Sequence, residues 1–346
     1  MDANVRKRDI RVDALRAVCI LLIILAHTGL KGADDTLFQL RTFDVPGMAI
    51  CLGMSCELSS GGDRGYLNYV GRRFMRLIVP MWIFLTIYFA VYGTVVWING
   101  ESFFGGGRGA FEKVLWSYIP MSGIGYVWII RIYFMISLMI PVLMCVKKIR
   151  GIFPRLIYLF LLFIMQNCLC RYCDTLEGTA RTLFSSLVVM TIGYAIMALC
   201  GMWMVRQTVG DNVLMALMGV AFYVSYALVG GMGFLDMQNN KYPPNAYFLG
   251  YGLFIGAVIF IVSGMVLTGT DGVPARTTRW LSVHSMGLYY VHIVLLIFAD
   301  RLMPDSGQWP VKYVTLLIGS VIVVWLMNLL IPLVKGMFCR ADSNML

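Results

Sequence analysis

The chain has little charge, since Asp, Glu, Lys and Arg make up only 13% of its 346 residues. A typical soluble domain carries about a quarter charged residues, so the composition excludes that class. Hydrophobic residues account for 59% of the chain, and the mean hydropathy is +0.77. We expect an all-α, polytopic membrane protein, organised as one integral membrane domain over residues 1–346 with no appended soluble domain.

Ten apolar stretches have the length of about 17–25 residues that a membrane-spanning helix needs. The second stretch is the weakest, because Asp44, Pro46 and Glu57 lie near its ends. We detect no internal repeat, which disfavours transporter folds built from inverted halves. The ten predicted transmembrane helices lie at about residues 12–30, 43–59, 77–98, 125–146, 153–170, 182–203, 212–234, 246–268, 281–300 and 312–334.

The distribution of basic residues predicts the orientation. If the N-terminus is cytoplasmic, most of the 28 lysines and arginines fall on the cytoplasmic side, as the positive-inside rule requires. Both termini are then cytoplasmic, and the net charge of +10 indicates topology and contact with anionic membrane lipids rather than nucleic acid. The inner segments include Arg6, Lys7, Arg8, Arg11, Arg64, Arg72, Arg73, Arg76, Lys335 and Arg340.

Histidine is scarce, with three residues in the whole chain, and one of them shares the first apolar segment with an arginine. Ionisable residues inside a membrane span are rare and indicate function by default. Arg16 and His27 are eleven positions apart, which places them on one helix face, separated by about 16 Å along the axis. This spacing predicts a cation at the cytoplasmic edge and an imidazole deeper in the bilayer.

Other polar residues also fall inside the predicted spans. Arg131 follows Trp128 by three positions in the fourth span, so it must face a cavity or a carboxylate, and Glu57 is a possible partner. We favour binding of an anionic substrate group as the role of Arg131. His292 lies at mid-bilayer depth in the ninth span. Interhelical hydrogen bonds are the preferred interpretation for Gln166, Asn167 and Asn328.

Three connecting or clustered segments allow more than one interpretation. Residues 97–124 form a Gly-rich loop whose second half, Ala110 to Tyr118, predicts an interfacial helix that is either a lid or a lipid anchor. The segment from Lys241 to Asn245 predicts a rigid start of the eighth span, with an acceptor contact as the lesser alternative. Packing is favoured over a metal site or a disulfide for the cluster of Cys168, Cys170 and Cys173.

Five segments in fixed order carry a family resemblance. They are Asp13-Ala-Leu-Arg16 with His27, Val45-Pro46 through Leu52-Gly53-Met54-Ser55-Cys56, Arg72-Arg73-Phe74-Met75-Arg76-Leu77 with Pro80 and Trp82, Val127-Trp128 through Arg131 to Pro141, and Ser285 through Tyr289-Tyr290-Val291-His292. Together they resemble acyltransferase family three, integral membrane enzymes that acylate exported glycans and related molecules. The chain departs from the family pattern at Cys56, where glycine is usual, and Gly47 and Met48 are less standard.

The resemblance implies the reaction and the partners. An acyl-CoA donor, expected to be acetyl-CoA, binds on the cytoplasmic side, and the acceptor is a hydroxyl of a glycan or lipid-linked saccharide reached from the other face. No bound cofactor, metal or nucleic acid is expected. The location implied is a bacterial inner or plasma membrane.

The donor side of the expected site is basic. Arg72, Arg73 and Arg76 form a cluster on one helical turn, and the planar guanidinium suits phosphate. The alternative is that these arginines only obey the positive-inside rule and touch anionic lipids. Asp13 and Arg16 can form an ion pair at i, i+3, with or without a contact from Arg16 to the donor.

His27 is the predicted catalytic residue. A buried, neutral imidazole can take the proton of an acceptor hydroxyl that attacks the thioester. An acyl-imidazole relay remains open, as does a structural hydrogen bond between helices. Trp128, Arg131, Tyr289 and His292 are predicted to bind the acceptor or to support the site.

Two other functions remain as alternatives. A transporter or exporter of a polar or acylated molecule would use Arg131, Glu57 and His292 as pathway residues. A signalling or scaffold protein would leave the intramembrane ionisable groups without a role.

Overall fold

The computed structural model describes residues 8–59, 65–119, 121, 123–231, 233–267 and 272–343, with side chains described up to residue 330. Over these ranges the chain is helical and contains no β-strand, as expected for an all-α protein. The α-helices are α1 (Ile10–Ala26), α2 (Leu30–Ala33), α3 (Asp35–Leu40), α4 (Asp44–Ser59), α5 (Tyr66–Ile98), α6 (Gly107–Tyr118), α7 (Trp128–Leu138), α8 (Ile140–Val146), α9 (Ile152–Asp174), α10 (Gly178–Leu183), α11 (Met190–Met204), α12 (Val209–Val229), α13 (Ala246–Val266), α14 (Val273–Val283), α15 (Ser285–Leu302) and α16 (Trp309–Ser343).

Each of the ten predicted spans contains a helix. Seven helical segments in the described ranges are long and apolar enough to cross a membrane, and α7 with α8, bent by 58°, makes up to eight. Pro141 lies in the first turn of α8, directly after the break, and accounts for it. Helices α1 and α4 have 17 and 16 residues, slightly short for a full crossing. The polytopic membrane class is confirmed, while the number of crossings and the location of the termini stay predictions.

Ion pairs between distant segments sort the helix ends into two groups. Glu57, at the end of α4, binds Lys147 at 2.5 Å and Arg206 at 3.2 Å. Glu101, which follows α5, binds Arg301 near the end of α15. On the predicted topology of ten spans, the first three residues lie at one end of the bundle and the last two at the other. We call these the inner and outer ends. Among the counted inner cations, Arg6, Lys7 and Arg64 lie outside the described residues, as do the side chains of Lys335 and Arg340.

Helix α4 packs at the centre of the bundle, against α11 and α1. A Cβ atom at Gly53 would lie 1.8 Å from the carbonyl oxygen of Ala198, and one at Gly201 would lie 2.1 Å from that of Ile50. Only glycine allows the two backbones to approach this closely, a common device where membrane helices associate without a hydrophobic driving force. The close contact holds α4 against α11.

Hydrogen bonds between helices were predicted for three side-chain amides, and two of the three form them. Gln166 donates to the carbonyl oxygens of Val189 at 3.0 Å and Pro244 at 2.7 Å. The carbonyl oxygen of the Asn167 side chain accepts the first backbone N–H of α13 at 2.9 Å. These bonds tie α9 to the segment before α13. Asn328 is exposed on α16 and is not held between helices.

The Gly-rich loop and the cysteine cluster are the other two segments that allowed more than one interpretation. Helix α6 covers the predicted interfacial helix, and the backbone of Tyr118 at its end accepts a hydrogen bond from the Trp82 indole at 3.1 Å. Phe111 and Trp116 of α6 are exposed, so its role as a lid or an anchor stays open. Cys170 and Cys173 are buried free thiols that pack at the outer end of α9.

Candidate active site

A large cavity opens beside the first two turns of α1. It has a volume of ≈ 870 Å³, and we call it the Arg16 cavity. Its volume falls in the range of about 300–1,000 Å³ usual for ligand sites. Three arginines at the inner end reach it: Arg8 and Arg16 from α1 and the residues before it, and Arg206 from the segment after α11. The polar residues that line it are Arg8, Asp9, Asp13, Arg16, Ser55, Ser59, Tyr133, Arg206, Ser282 and Ser285.

Asp13 is the anchor of this cavity. It is buried, and its two carboxylate oxygens accept two hydrogen bonds from the Arg8 guanidinium, both at 2.6 Å. The Ser282 hydroxyl, at the end of α14, donates a third at 2.6 Å. A buried carboxylate needs this degree of compensation. Asp13 therefore joins the chain start, α1 and α14 at one point.

Arg16 does not pair directly with Asp13, so the predicted i, i+3 ion pair is wrong. Arg8 and Ser282 already occupy the carboxylate. The Arg16 guanidinium instead donates to the hydroxyls of Ser55 at 2.5 Å and Ser282 at 3.5 Å. In the part of the chain described, no carboxylate lies within ion-pair distance of Arg16. Its charge is held in place by neutral hydroxyls and faces the cavity.

A small void, which we call the passage, adjoins the Arg16 cavity along α1. Its volume is ≈ 40 Å³, and its lining includes Tyr133, Met48 and Met286, which also line the Arg16 cavity. Ile23 and Tyr289 line this void and a third one beyond it. The three voids therefore follow one another, with methionines, which readily change conformation, at the constriction.

The third void contains His27, and we call it the His27 cavity. Its volume is ≈ 180 Å³. His27 follows the last residue of α1 as its C-cap, so the imidazole lies at the helix end and not within the helix. The polar and aromatic lining residues are His27, Phe38, Arg41, Asp44, Tyr126, Trp128, Gln238, Lys241, Tyr242 and Tyr289.

The two predicted histidines are hydrogen-bonded to each other. Nδ1 of His27 lies 3.0 Å from Nε2 of His292, and the rings are stacked with centroids 5.2 Å apart. Nδ1 of His292 lies 3.0 Å from the carbonyl oxygen of Leu288. A carbonyl oxygen can only accept, so Nδ1 of His292 carries the proton and its neutral Nε2 is an acceptor. The network assigns the donor role to Nδ1 of His27 and leaves the lone pair on its Nε2.

Three charged residues surround the rest of the His27 cavity. Arg41 and Asp44 form a buried ion pair at 2.5 Å, with side chains only 4% and 2% exposed. Lys241 is 5% exposed, and its Nζ lies 5.8 Å from the Trp128 ring centroid and 5.3 Å from that of Tyr242. Burial lowers the pKa of Lys241 to about 8; the Asp44 carboxylate opposes this effect and Arg41 adds to it.

Two more predicted residues meet at this cavity. Tyr289 lines it and donates its hydroxyl to the backbone carbonyl of Tyr126. The ring of Tyr289 is edge-on to His292, with centroids 5.7 Å apart. Trp128 packs edge-on against Tyr242 at 5.1 Å. The sequence motifs that contain Trp128, Tyr289 and His292 therefore converge on His27.

Arg131 lies away from these cavities. Its buried guanidinium donates to the backbone carbonyl of Met121 at 2.8 Å. Glu57 is not its partner, because that carboxylate is occupied by Lys147 and Arg206 at the inner end. The predicted pairing of Arg131 with Glu57 is wrong, and a contact between Arg131 and substrate stays a prediction.

The arginine cluster on α5 is also separate from the Arg16 cavity. Arg72 and Arg76 are exposed, and Arg73 donates to the Tyr69 hydroxyl at 3.0 Å with its guanidinium stacked on that ring. None of the three is among the residues that line the cavity. Their role in donor binding stays a prediction, and the structure offers Arg8, Arg16 and Arg206 at the cavity instead.

A groove at the outer end approaches the His27 cavity from the other side. It has a volume of ≈ 360 Å³ and meets the His27 cavity at Tyr126, which lines both. We call it the Tyr126 groove. Tyr88 and Tyr92 stack in parallel along it, with centroids 6.1 Å apart, and the ion pair of Glu101 with Arg301 closes one side.

Sequence reasoning missed several residues of the site. The sequence alone assigns no role in the site to Arg41, Ser55 or Ser282, and for the segment that begins with Lys241 an acceptor contact is only the lesser alternative. The signal for Lys241 was its position before Tyr242 and two prolines, where a rigid segment can hold a side chain in place. The serines carry no comparable signal, because a single hydroxyl is common in membrane helices.

A comparison with protein families identifies the same family as the motifs. A family model described as an acyltransferase domain, that of acyltransferase family three, matches residues 9–329. The matched range contains every residue that lines the three voids and the groove except Arg8. No curated protein and no solved structure matches the chain.

Proposed function

The chain belongs to acyltransferase family three, and on this basis we propose that it moves an acyl group, acetyl in the first instance, from acyl-CoA to a hydroxyl of an exported or cell-surface glycan. Acyl-CoA binds at the inner end, in the cytoplasm, and the acceptor reaches the site from the outer end. The enzyme works in the inner or plasma membrane of a bacterium. It needs no bound cofactor.

The hydrogen bond between His27 and His292 is the observation that carries this proposal. Because His292 accepts the Nδ1 proton of His27, Nε2 of His27 is the basic nitrogen. His27 lines the cavity that adjoins both the passage and the Tyr126 groove. A base must lie where the acceptor hydroxyl and the donor thioester meet, and this position fits that requirement.

The donor fits the inner half of the site. Its phosphates bind near Arg8, Arg16 and Arg206, where guanidinium groups can each donate two hydrogen bonds. The slender pantetheine arm extends past Met48 and Met286 and brings the thioester to His27. The distance of about 16 Å along α1 between Arg16 and His27 suits a donor whose charged and reactive ends are far apart.

The reaction requires one proton transfer in each direction. Nε2 of His27 takes the hydroxyl proton as the acceptor oxygen bonds to the thioester carbonyl carbon. The carbon–sulfur bond then breaks, and the coenzyme A thiolate takes the proton back from the imidazolium. His292 holds the ring and receives the hydrogen bond of the imidazolium. In the acyl-imidazole route the same nitrogen attacks the carbonyl carbon first, the carbon–sulfur bond breaks, and the coenzyme A thiolate leaves. The acceptor hydroxyl then attacks the acyl-imidazole, the carbon–nitrogen bond breaks, and the hydroxyl proton passes to the thiolate.

The transport alternative receives less support. Of its three pathway residues, Glu57 is neutralised by two cations at the inner end, Arg131 binds a backbone carbonyl, and only His292 belongs to the His27 site. These groups do not line one route across the bundle.

Replacement of His27 tests the proposal. Membranes that contain the wild-type chain are incubated with labelled acetyl-CoA and extracted surface glycan, and the acetyl ester formed is counted. His27→Ala should lower the rate by at least about a hundredfold, since a general base contributes about 10²–10⁴, with normal membrane insertion. His284→Ala is the matched control, because His284 caps α14, bonds the carbonyl oxygen of Trp280 and lies outside the His27 cavity. Full transfer by His27→Ala would refute the base assignment.

A further inference from the structure

The His27 cavity contains more positive than negative charge. Arg41, Asp44 and Lys241 line it, and Asp44 is the only carboxylate among its described lining residues. The Asp44 side chain binds the Arg41 guanidinium at 2.5 Å and the backbone N–H of Val45 at 2.7 Å. The one negative charge is thus matched by Arg41, and the charge of Lys241 remains in excess.

The Lys241 ammonium group is held by two aromatic faces. Trp128 and Tyr242 attract the cation, but an aromatic face is a weak substitute for the oxygen acceptors that a buried ammonium group requires. Over the described ranges no oxygen or nitrogen atom accepts a hydrogen bond from Nζ. With the side chain almost fully buried and up to three N–H donors available, the group is arranged to bind an anion that enters the cavity.

The position of Lys241 limits what that anion can be. The cavity of ≈ 180 Å³ is smaller than a typical ligand site of about 300–1,000 Å³, so it can hold one group of a larger molecule. The nucleotide end of the donor fits the wider Arg16 cavity at the other end of the passage. The group next to Lys241 must therefore belong to the acceptor.

We propose that Lys241, supported by Arg41, forms an anion subsite that binds a carboxylate or phosphate of the acceptor beside His27. The acceptor is then an acidic saccharide, or a saccharide that carries a phosphate. This inference rests on the proposed acyltransferase function and specifies its substrate class. The bound anion places a neighbouring hydroxyl against Nε2 of His27 and excludes neutral sugars.

Binding of small acceptor mimics tests the subsite without turnover. The purified full chain in detergent, with saturating coenzyme A to fill the Arg16 cavity, is titrated calorimetrically with methyl β-glucuronide, glucose 1-phosphate and methyl β-glucoside. A charged hydrogen bond in a buried site increases affinity by about ten- to a hundredfold. At least one anionic probe should bind more tightly than the neutral glucoside by this factor, and the preferred probe distinguishes a sugar carboxylate from a phosphate.

Two variants assign the preference to Lys241. Lys241→Gln should remove it, and Lys241→Arg should retain most of it. Lys312→Gln is the matched control, because Lys312 is also a buried lysine near the outer end but pairs with Asp300 and lies outside the His27 cavity. The proposal is overturned if the wild-type chain binds all probes alike, or if Lys241→Gln keeps the anion preference. It is also overturned if Lys241→Gln lowers kcat of acyl transfer with unchanged probe affinity.

The same preparation separates this inference from the proposed function. Transfer of label from acetyl-CoA is measured beside the titrations. A wild-type chain that prefers anionic probes but never uses acetyl-CoA contradicts the acyltransferase proposal and leaves the subsite intact. A chain that transfers acetyl to neutral and acidic saccharides alike contradicts only the subsite.

Discussion

The Arg16 cavity and the His27 cavity lie along one helix but hold their cations in opposite ways. In the wide Arg16 cavity, Arg8 is 46% exposed although it pairs with Asp13, and hydroxyls position Arg16. In the small His27 cavity, Lys241 and Arg41 are buried. Exposed cations keep much of their hydration and suit a large ligand whose phosphates stay near water. Buried cations act in a lower dielectric, where each contact is stronger and more selective.

Under the proposed function, the two cavities also separate binding of the donor from the chemical step. The basic nitrogen of His27 lies beyond the constriction at Met48 and Met286, out of the wide cavity. In the proposed reaction, a thioester that reaches this nitrogen has left most of the solvent behind, which protects the acyl group from hydrolysis. The difference between the two cavities thus suggests that affinity for the donor and reactivity toward the acceptor can be changed independently.

The largest effect expected from a residue outside direct substrate contact concerns His292. His292→Leu removes the acceptor of the His27 Nδ1 proton, so the imidazole loses its fixed tautomer and orientation. A hydrogen bond to a charged group contributes about 1.5–3 kcal/mol, so kcat of acyl transfer should fall by about ten- to a hundredfold, with KM for acetyl-CoA nearly unchanged.

His292→Gln distinguishes this positioning role from packing. The side-chain oxygen of glutamine can accept the Nδ1 proton, so this variant should recover much of the lost kcat. Initial rates at several acetyl-CoA concentrations give the two constants. A rise in KM for the donor in both variants, or an equal loss of kcat in both, would mean that His292 acts only in packing.

A smaller effect is expected from pH, and it concerns only the His27 cavity. Burial lowers the pKa of Lys241 to about 8, so the ammonium form is present at pH 7 and is lost as the pH rises through 8. The affinity for an anionic probe should therefore fall by about tenfold between pH 7 and pH 9. The charged and titratable residues that share the cavity with Lys241 are His27, Arg41, Asp44, Tyr126, Tyr242 and Tyr289.

Titrations of the purified chain at a series of pH values measure this fall. Lys241→Arg should abolish it, since arginine stays charged throughout the range. The neutral methyl β-glucoside provides the baseline. If its affinity falls in parallel with that of the anionic probe, the pH effect belongs to another group or to the fold, and Lys241 is not its source.

Much of the fold was predictable from the sequence because hydrophobicity is a local property. Each of the ten apolar stretches contains a helix, and the class is confirmed. The break between α7 and α8 at Pro141 could also be expected from proline chemistry. The bounds of α4 follow its apolar stretch closely. Helix α1 runs from Ile10 to Ala26 instead of 12–30, because the ends of this helix depend on contacts with neighbours and not on hydropathy.

The site was predictable where a motif marked it and not where distant segments create it. His27, Trp128, Tyr289 and His292 were named from motifs and lie together. Arg16 lines the Arg16 cavity, and its role in donor binding stays a prediction. Its predicted partner is wrong, because Ser282, to which it donates instead, is 266 positions away in the chain. A cation in a loop and a cation folded back into a cavity look the same in a sequence.

The smallest effect is expected from the arginines of α5, and it tests whether charge at the inner end is enough for donor binding. Arg72 and Arg76 are exposed and lie outside the Arg16 cavity, so the double variant Arg72→Gln, Arg76→Gln should change KM for acetyl-CoA less than about twofold, as for ordinary surface charges. Arg16→Gln removes a guanidinium that faces the cavity and should raise KM by about tenfold. Both are measured as initial rates in membranes of equal protein content. A tenfold rise in KM for acetyl-CoA in the double variant would assign the donor phosphates to α5. The loss of ordinary surface charges alone would change this KM less than about twofold.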